Sequence, residues 1–458
     1  MKVAILGAGG VRTPFVVRSF ILRQERLGLD ELALMDIDGA RLELMACLTA
    51  PLEQHHKVRF KIRPTTDARA ALAGADFVIT TFRVGGMAGR AIDERVALDY
   101  GVLGQETIGP GGFALGLRTL PVLFRYLDVM REVCPEAWLI NFANPAGMLA
   151  EAIVKHGGWP RAVGICDTPA AMRRGAAALL RVPAGEVFLD YFGLNHLGWA
   201  RGVWRRGRDR LPELIEKFAR GEARRPEFPF EPGLIQSLGL LPNEYLFYYY
   251  SNEAVPNLLK AGRTRGEQLL ELNTRLFADL ERARAEEDFE ALQRLFAAYH
   301  RERGETYFVS ETGKSAHASG AAERETREAQ ADEGYAGVAL RVMEALAGNA
   351  PQVLILNVPN RGAVSGMRDD DVVEIPCWVG GGLIRPLAAG AVPDRALGLM
   401  KQVKAYERLT IEAALTGRYA TALAALTLHP LVPSHTVAQA ILDEYIRKHG
   451  ETFPVSRV

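Results

Sequence analysis

The first 166 residues alternate between short apolar runs and amphipathic stretches, and this alternation restricts the fold more than any other feature. The intervening segments, such as RTLPVLFRYLDVMREVCP, have helical periodicity. Continuous apolar strands separated by helices are typical of a parallel sheet with both faces covered. The pattern predicts a doubly wound α/β domain over residues 1–184. The apolar runs expected to be its strands are KVAIL, ELALMDID, VRFKI, ADFVITTF, AWLINFAN and RAVGIC.

The pattern changes near residue 185. The segment GEVFLDYFGLNHLGWARGVWRRG alternates as antiparallel strands do, and helical periodicity dominates from there to the C-terminus. We therefore expect a C-terminal α+β domain over residues 185–458, largely helical, that carries substrate-binding residues and an oligomer interface. Within it, the polar segment ETGKSAHASGAAERETREAQADEG is expected to be an exposed loop.

Charge and composition exclude several classes of protein. Lysine plus arginine and aspartate plus glutamate number 55 each in 458 residues, so no overall field attracts nucleic acid or an anionic membrane. The longest apolar runs are far shorter than the roughly 18 residues that span a bilayer, and the N-terminus lacks a signal-peptide core. Four cysteines without a CxxC pair are typical of a reducing compartment. We expect a cytoplasmic protein that binds small molecules at local sites, with no nucleic-acid or membrane partner.

The N-terminus combines a strand, closely spaced glycines and a helix. In KVAILGAGG the glycines let the backbone approach a pyrophosphate, and the helix N-terminus supplies amides. Arg12 replaces the third glycine of GxGxxG, whereas Asp36 matches the acid that binds the adenine ribose and would repel the extra phosphate of NADP. The pattern predicts a Rossmann-like domain that binds NAD, with an ordinary glycine turn and helix cap as the alternative. The predicted cofactor-binding residues are Gly7, Gly9, Gly10, Val11, Arg12 and Asp36.

Three further motifs place polar residues where predicted strands end. Arg83 follows the fourth predicted strand, whereas Asn144 and Cys166 are the last residues of the fifth and the sixth. Because the carboxyl ends of parallel strands share one edge of a sheet, we expect these three residues to converge. The glycine-dense segment GVLGQETIGPGGFALGLRTLP is expected to form a loop that carries Glu106 ahead of a long helix, and His196 lies in GLNHLGW.

Taken one at a time, these residues have ordinary structural explanations. Arg83 could form a surface ion pair, a lone histidine is most often a hydrogen-bonded core residue, and Cys166 could be a small hydrophobe. Taken together, they favour a binding site. A thiolate, an imidazole and the neighbouring Asp167 suit a divalent transition metal that keeps positions open for substrate oxygens.

The sequence resembles glycoside hydrolase family 4, the NAD-dependent glycosidases that depart from two-carboxylate glycoside hydrolysis. The resemblance implies a nucleotide-binding sheet like that of lactate and malate dehydrogenases, a homodimer or homotetramer, NAD, and a divalent metal that is usually manganese. It runs nearly from end to end and rests on the motifs FRVGG…DER, YGVLGQETIGPGGFALGLRTLPV, NFANPAGM, GICDTP, GLNHLGW, LPNEYLFYYY, GRTRGE and LNVPNRGAVSGMRDDDVVEIPC.

The resemblance implies roles for individual residues. Cys166 and His196 match the residues that hold the metal in the family, and Tyr245 matches its catalytic base. A phenol with an ordinary pKa of about 10 is a poor base at neutral pH, so a nearby cation must lower its pKa. Asp167 would either order water or a hydroxyl group at the metal or cap the next helix. Positions near the sugar or its phosphate are matched by Arg83, Glu106, Asn144 and Arg265.

The reaction implied by the resemblance is a redox elimination. NAD takes a hydride from C3 of the sugar, the ketone acidifies the C2 proton, a base removes that proton, and the aglycone leaves from C1. Water then adds and the hydride returns. The motifs indicate hydrolysis of 6-phospho-β-glucosides, whereas the pair Cys166-Asp167 also occurs in phospho-α-glucosidases, so the α-anomer remains an alternative.

Two other classes of protein share parts of this pattern. An NAD-dependent 2-hydroxyacid dehydrogenase would share the sheet, the glycine loop and the Asn-Pro motif. A non-catalytic NAD-dependent sensor would share the first domain. The potential metal pair and the length of the chain count against the dehydrogenase, and a sensor would not need Cys166, His196 and Tyr245 together, so the glycosidase is the preferred interpretation.

Overall fold

A parallel sheet forms the centre of the first half of the chain. The computed structural model describes residues 1–223, 227–251, 253–313, 336–348 and 350–457. Six parallel strands lie side by side in the order β3-β2-β1-β4-β5-β6. This order is typical of dinucleotide-binding domains and confirms the predicted doubly wound fold. The strands are β1 (Lys2–Leu6), β2 (Glu31–Met35), β3 (Lys61–Thr65), β4 (Phe77–Thr80), β5 (Trp138–Asn141) and β6 (Ala162–Gly164).

Helices cover both faces of this sheet, which explains why its central strands are continuously apolar. Every residue of β4 is buried, and so are four of the five residues of β1. The helices are α1 (Thr13–Leu22), α2 (Gln24–Leu27), α3 (Gly39–His56), α4 (Ala68–Leu72), α5 (Gly86–Asp99), α6 (Gly109–Val133), α7 (Ala146–Glu151), which continues as a π-helical turn (Ala152–His156), and α8 (Thr168–Leu180).

A second, smaller sheet begins where the sequence pattern changes. Strands β7 (Phe188–Leu194) and β8 (Leu197–Arg205) form an antiparallel hairpin, as predicted. The short strands β9 (Arg208–Asp209) and β10 (Leu241–Pro242) both pair with β8. Only Asn195 and His196 lie between the two long strands, so they form the turn of the hairpin.

Three strands from the C-terminal half extend the first sheet. They are β11 (Gln352–Pro359), β12 (Val372–Gly380) and β13 (Leu383–Pro386), all antiparallel to their neighbours. Strand β11 joins the sheet where Asn357 pairs with Gly164 of β6. The two halves therefore share one sheet, and the division at residue 184 stays a prediction. Sequence reasoning did not anticipate this extension, because the pairing joins segments almost two hundred residues apart.

The remaining helices belong to the C-terminal half, which is largely helical as predicted. They are α9 (Leu211–Ala219), α10 (Pro232–Leu238), α11 (Phe247–Tyr250), α12 (Ala254–Ala261), α13 (Arg265–Ala285), α14 (Phe289–Glu305), α15 (Val309–Thr312), α16 (Gly337–Ala347), α17 (Asp394–Thr416), α18 (Tyr419–Leu428) and α19 (His435–His449), with 3-10 turns at Ala184–Glu186, Glu244–Leu246 and Gly450–Thr452. Within the described ranges, no helix is both long and apolar enough to cross a bilayer. The segment predicted to be an exposed loop lies, from residue 314 to residue 334, outside the described residues.

One local prediction was wrong, because the glycine-dense segment is not a loop throughout. Helix α6 begins at Gly109, so its first turns consist largely of glycine. A Cβ atom on Gly111 would overlap the carbonyl oxygen of Gln105, and one on Gly112 would overlap the backbone of Thr107. The glycines therefore let the preceding loop fold back against the helix, at a distance that side chains would prevent.

We expect Gly112→Ala to destabilise the protein, because the added methyl group must displace the backbone of Thr107. Overpacking of this kind costs about 1–3 kcal/mol. The matched control is Gly398→Ala in α17, where a Cβ would meet nothing within 4 Å and should stabilise the helix by about 0.5–1 kcal/mol. Urea denaturation of both variants measures the difference. Equal stability of the two would contradict this account of α6.

Candidate active site

The glycine loop after β1 touches Asp36 at the end of β2. The backbone N–H of Gly9 donates a hydrogen bond of 2.7 Å to Oδ2 of Asp36, and that of Asp38 donates one of 3.0 Å to Oδ1. A Cβ on Gly9 would lie 2.8 Å from Cγ of Asp36. Gly7 has a φ of +102°, in the region that favours glycine. The loop and the acid therefore form one compact unit at the entrance to α1.

The other predicted cofactor residues lie around the same turn. Arg12 is the N-cap residue of α1, and Gly10 has room for a side chain, since its nearest atom would be 3.6 Å from a Cβ. Val11 is buried against apolar side chains of α3 and α13. Its carbonyl oxygen lies 3.2 Å from Nε2 of His300 in α14. The C-terminal helices therefore support the glycine loop from behind.

Arg83 and Glu106 form an ion pair. Glu106 also accepts a hydrogen bond of 2.9 Å from Arg90, which in turn donates one of 2.7 Å to Glu94. The Arg83 side chain is only 16% exposed, so this is not the surface ion pair considered as an alternative. Two predicted substrate residues are thus in contact, within a cluster of alternating charges.

Cys166 and Asp167 lie just past the end of β6, at the carboxyl edge of the sheet. Sγ of Cys166 accepts a hydrogen bond of 3.5 Å from the backbone of Thr168 and lies 3.9 Å from Oδ1 of Asp167. Asp167 occupies the N-cap position of α8, but its side chain makes no capping hydrogen bond. Burial, together with the carboxylates of Glu374 and Asp167, raises the pKa of the Cys166 thiol.

His196 lies in the turn between β7 and β8, where its φ of +61° is in the left-handed region. Its Nδ1 is hydrogen-bonded to Oγ1 of Thr107, in the loop that precedes α6. Burial lowers the pKa of His196 to about 3, so the imidazole is neutral. With Nδ1 engaged, Nε2 is the nitrogen that could bind a metal.

Tyr245 stacks directly on His196. The two ring centroids are 3.6 Å apart and the rings are within 8° of parallel. Burial raises the pKa of Tyr245, and so do Tyr307, Glu244, Cys166 and Asp167.

The donor atoms of this cluster fit a divalent metal with open positions. Burial opposes the charged forms of Cys166, His196 and Tyr245 alike, and a bound cation would offset this for the thiolate and the phenolate. Within the described part of the chain, no group of three or more His, Cys, Asp or Glu side chains is arranged to hold a metal. A metal held by Cys166 and His196 alone would keep positions open for oxygens of a bound molecule.

The last two predicted substrate residues lie on other elements, after β5 and at the start of α13. Asn144 is half-buried after β5, at the same edge as Cys166, and is joined to Pro145 by a cis peptide bond. Arg265 is buried at the start of α13, where it donates to Thr306 and to the carbonyl oxygen of Arg303. Its guanidinium also lies over the ring of Tyr307, 5.9 Å from the centroid.

Sequence reasoning missed two contributors to the site. Thr107 lies in the glycine-dense segment, but nothing in the sequence marks it as a partner of His196. Glu374 lies in the apolar strand DDVVEIPC, where it is fully buried beside the cluster. A single acidic residue inside an apolar run was the available signal, because such a group needs buried hydrogen-bond donors.

The family profile described as family 4 glycosyl hydrolase matches residues 2–182, and that of the family's C-terminal domain matches residues 191–432. A probable 6-phospho-β-glucosidase of Bacillus subtilis is 34% identical over 99% of this chain and 97% of its own length.

Two solved structures have the same fold over the whole chain. The Thermotoga maritima 6-phospho-β-glucosidase, solved with manganese, NAD⁺ and glucose 6-phosphate, is 28% identical with a TM-score of 0.82 and covers 100% of both chains. A 6-phospho-α-glucosidase from gut microorganisms, solved with NAD and Mn²⁺, also has 28% identity and a TM-score of 0.82, and covers 100% of this chain and 99% of its own.

We expect Cys166→Ser to weaken Mn²⁺ binding by at least about tenfold, because a hydroxyl group is a much poorer ligand than a thiolate. Cys377→Ser is the matched control, since Cys377 is buried in β12 and its thiol donates to the carbonyl oxygen of Ile375. Electron paramagnetic resonance of free Mn²⁺ measures both affinities. Unchanged binding by Cys166→Ser would show that the thiol is not a ligand.

Proposed function

The chain belongs to glycosyl hydrolase family 4, and from this membership we propose that it hydrolyses 6-phospho-β-glucosides with NAD and a divalent metal. The observation that carries the proposal is the stack of Tyr245 on the ring of His196, whose Nδ1 is hydrogen-bonded to Thr107. The proposed base thus lies against one proposed metal ligand, while the other, Cys166, follows β6 at the carboxyl edge of the dinucleotide-binding sheet.

Two cofactors are part of this proposal. The loop Gly7–Arg12 and Asp36 would hold NAD, and Cys166 with Nε2 of His196 would hold the metal, as Mn²⁺. When bound, NAD supplies reversible hydride acceptance, and the metal supplies a positive charge that stabilises developing negative charge on sugar oxygens. The names of the solved relatives, which were determined with NAD and manganese, support this assignment.

Tyr245 would act as the base that removes the proton from C2 of the sugar. Its ring is held by His196 on one side, and its backbone N–H donates a hydrogen bond of 3.1 Å to Asn243. The chain alone raises the pKa of this phenol, so it can serve as a base only with a cation beside it. Base and metal site are therefore expected to depend on each other.

The substrate would be bound by side chains around this centre. Arg83 and Arg265 would hold the sugar phosphate, because guanidinium groups match the geometry of phosphate oxygens. In the structure Arg83 forms an ion pair with Glu106. When substrate binds, Glu106 would accept a hydrogen bond from a sugar hydroxyl group in place of this ion pair. Asn144 would contact the sugar, and Asp167 would order water or a hydroxyl group, since its carboxylate makes no capping bond.

The β-anomer is proposed because a curated relative with 34% identity carries that name. The α-anomer is the second candidate, since the phospho-α-glucosidase structure matches this chain with the same TM-score. Elimination after oxidation at C3 removes the stereochemical requirement of a direct displacement, so anomer preference depends on how the aglycone is accommodated.

We expect the protein to release nitrophenol from p-nitrophenyl 6-phospho-β-glucoside only when NAD and Mn²⁺ are both present, and EDTA should abolish the release. Absorbance at the nitrophenolate band measures the rate. The α-anomer and the non-phosphorylated β-glucoside are the controls for anomer and phosphate. Release that is indifferent to NAD and metal, or steady accumulation of NADH, would contradict the proposed reaction.

Tyr245→Phe should lower kcat by about 10²- to 10⁴-fold, the usual contribution of a general base. Tyr249→Phe is the matched control, because Tyr249 lies against His429 rather than His196. When the wild-type reaction runs in D₂O, the released sugar phosphate should carry deuterium at C2, which NMR detects. Full retention of the C2 proton would rule out removal of that proton in the reaction.

A further inference from the structure

A buried carboxylate connects the elements that carry the proposed site residues. Glu374, in the middle of β12, has no solvent exposure. Its carboxylate accepts hydrogen bonds from the hydroxyl of Tyr191 at 2.7 Å, from Nδ2 of Asn195 at 3.1 Å and from Nδ2 of Asn357 at 3.0 Å. These three donors lie on β7, on the hairpin turn and on β11.

The first connection leads to His196. Asn195 and His196 together form the turn of the hairpin, so the orientation of one restricts the other. Oδ1 of Asn195 is buried and has no hydrogen-bond partner among the described residues. The hydrogen bond to Glu374 therefore orients the Asn195 side chain. Through Asn195 it also restrains the turn that carries His196.

The second connection leads to Tyr245. The hydroxyl of Tyr191 donates to Glu374 and accepts a hydrogen bond of 3.1 Å from Nδ2 of Asn243. Oδ1 of the same Asn243 accepts the backbone N–H of Tyr245, also at 3.1 Å. A Cβ on Gly198 would overlap the Tyr191 hydroxyl, so a glycine is needed there to admit this contact.

The third connection leads towards Cys166. Asn357 pairs across the strands with both Glu374 and Gly164. Its Nδ2 also lies 3.4 Å from the carbonyl oxygen of Gly164, two residues before the cysteine. The end of β6 is thereby linked to the same carboxylate.

We propose that Glu374 is a positioning residue that holds His196, Tyr245 and Cys166 in mutual register for metal binding and proton transfer. The proposal rests on the function proposed above for those three residues. It assigns Glu374 no contact with substrate, metal or NAD.

A carboxylate suits this task better than other buried side chains. It accepts three donors at once, whereas a glutamine would present its own N–H groups to one of them. Burial raises the pKa of Glu374 to about 7, while the donated hydrogen bonds act in the opposite direction. Burying a carboxylate away from water costs free energy, so packing alone does not explain why Glu374 lies here.

Three substitutions separate the connections. Glu374→Gln weakens all of them, Asn195→Ala removes the one to the hairpin turn, and Tyr191→Phe removes the one to Tyr245. The matched control is Glu151→Gln, a carboxylate equally buried against β12 that accepts from Val372 and Lys404. Thermal unfolding reports stability for each, and the full-length chain is used throughout.

Two further measurements report on the metal site and on the turn without requiring turnover, and kcat and KM are determined beside them. Mn²⁺ affinity is measured by electron paramagnetic resonance, and opening of the 195–196 turn by amide hydrogen exchange. We expect Glu374→Gln and Asn195→Ala to weaken Mn²⁺ binding about 10- to 100-fold, as the loss of a ligand-orienting group does, and to speed exchange at the turn. Tyr191→Phe should leave Mn²⁺ affinity unchanged and lower kcat without raising KM. Glu151→Gln should lower stability only.

The proposal is overturned if Glu374→Gln lowers the unfolding temperature but leaves Mn²⁺ affinity and turn exchange at wild-type values. It is equally overturned if Glu151→Gln weakens Mn²⁺ binding as strongly as Glu374→Gln does. Absence of NAD- and metal-dependent turnover in the wild-type protein would instead count against the proposed function. The affinity and exchange measurements would still decide whether Glu374 orients the cluster.

Discussion

Parallel pairing of β4, β5 and β6 is the constraint on which the arrangement of the site depends. Thr80, Asn141 and Gly164 lie side by side in the register of these strands. The chain segments that follow them therefore leave the sheet at one edge. Arg83 and Cys166 reach that edge for this reason and not because they are close in sequence. The antiparallel strands β11, β12 and β13 extend the sheet beyond β6.

Burial determines the chemistry of the cluster at this edge. A thiol, an imidazole and a phenol are each held away from water, and for each of them burial disfavours the charged form. Nearby carboxylates oppose ionisation of the Cys166 thiol and the Tyr245 phenol still further. Such a site is poorly suited to catalysis by the chain alone, and well suited to a divalent cation that makes negative charge favourable there. The metal dependence proposed for this protein is thus consistent with the electrostatic environment that its own side chains create.

The glycines at the start of α6 allow the contact that orients His196. Because Gly111 and Gly112 lack side chains, the preceding loop folds back onto the helix and carries Thr107 to Nδ1 of His196. The segment was expected to be a loop because glycine disfavours helix in isolation. Tertiary packing reversed that preference, since the close contacts on one face of the helix require the smallest residue. The long-range pairing of β11 with β6 escaped sequence reasoning for a related reason, as no local pattern records which strands become neighbours.

Local patterns were sufficient for five of the six parallel strands, the glycine loop with Asp36, and the hairpin from Phe188 to Arg205, because strand periodicity and turn residues act over a few positions. The strand predicted at VRFKI was misplaced, since β3 begins three residues later and is mostly not buried, so no continuous apolar run marks it. Motifs indicated Cys166 and His196 as potential metal ligands, and the family resemblance added Tyr245 as the base; these roles stay predictions. Local patterns did not reveal that Tyr245 stacks on His196, that Thr107 engages the imidazole, or that Glu374 links three separate elements. Those contacts join residues tens to hundreds of positions apart, and their geometry depends on how the two sheets pack. Residue types can suggest a chemistry, but only the folded chain brings the groups within bonding distance.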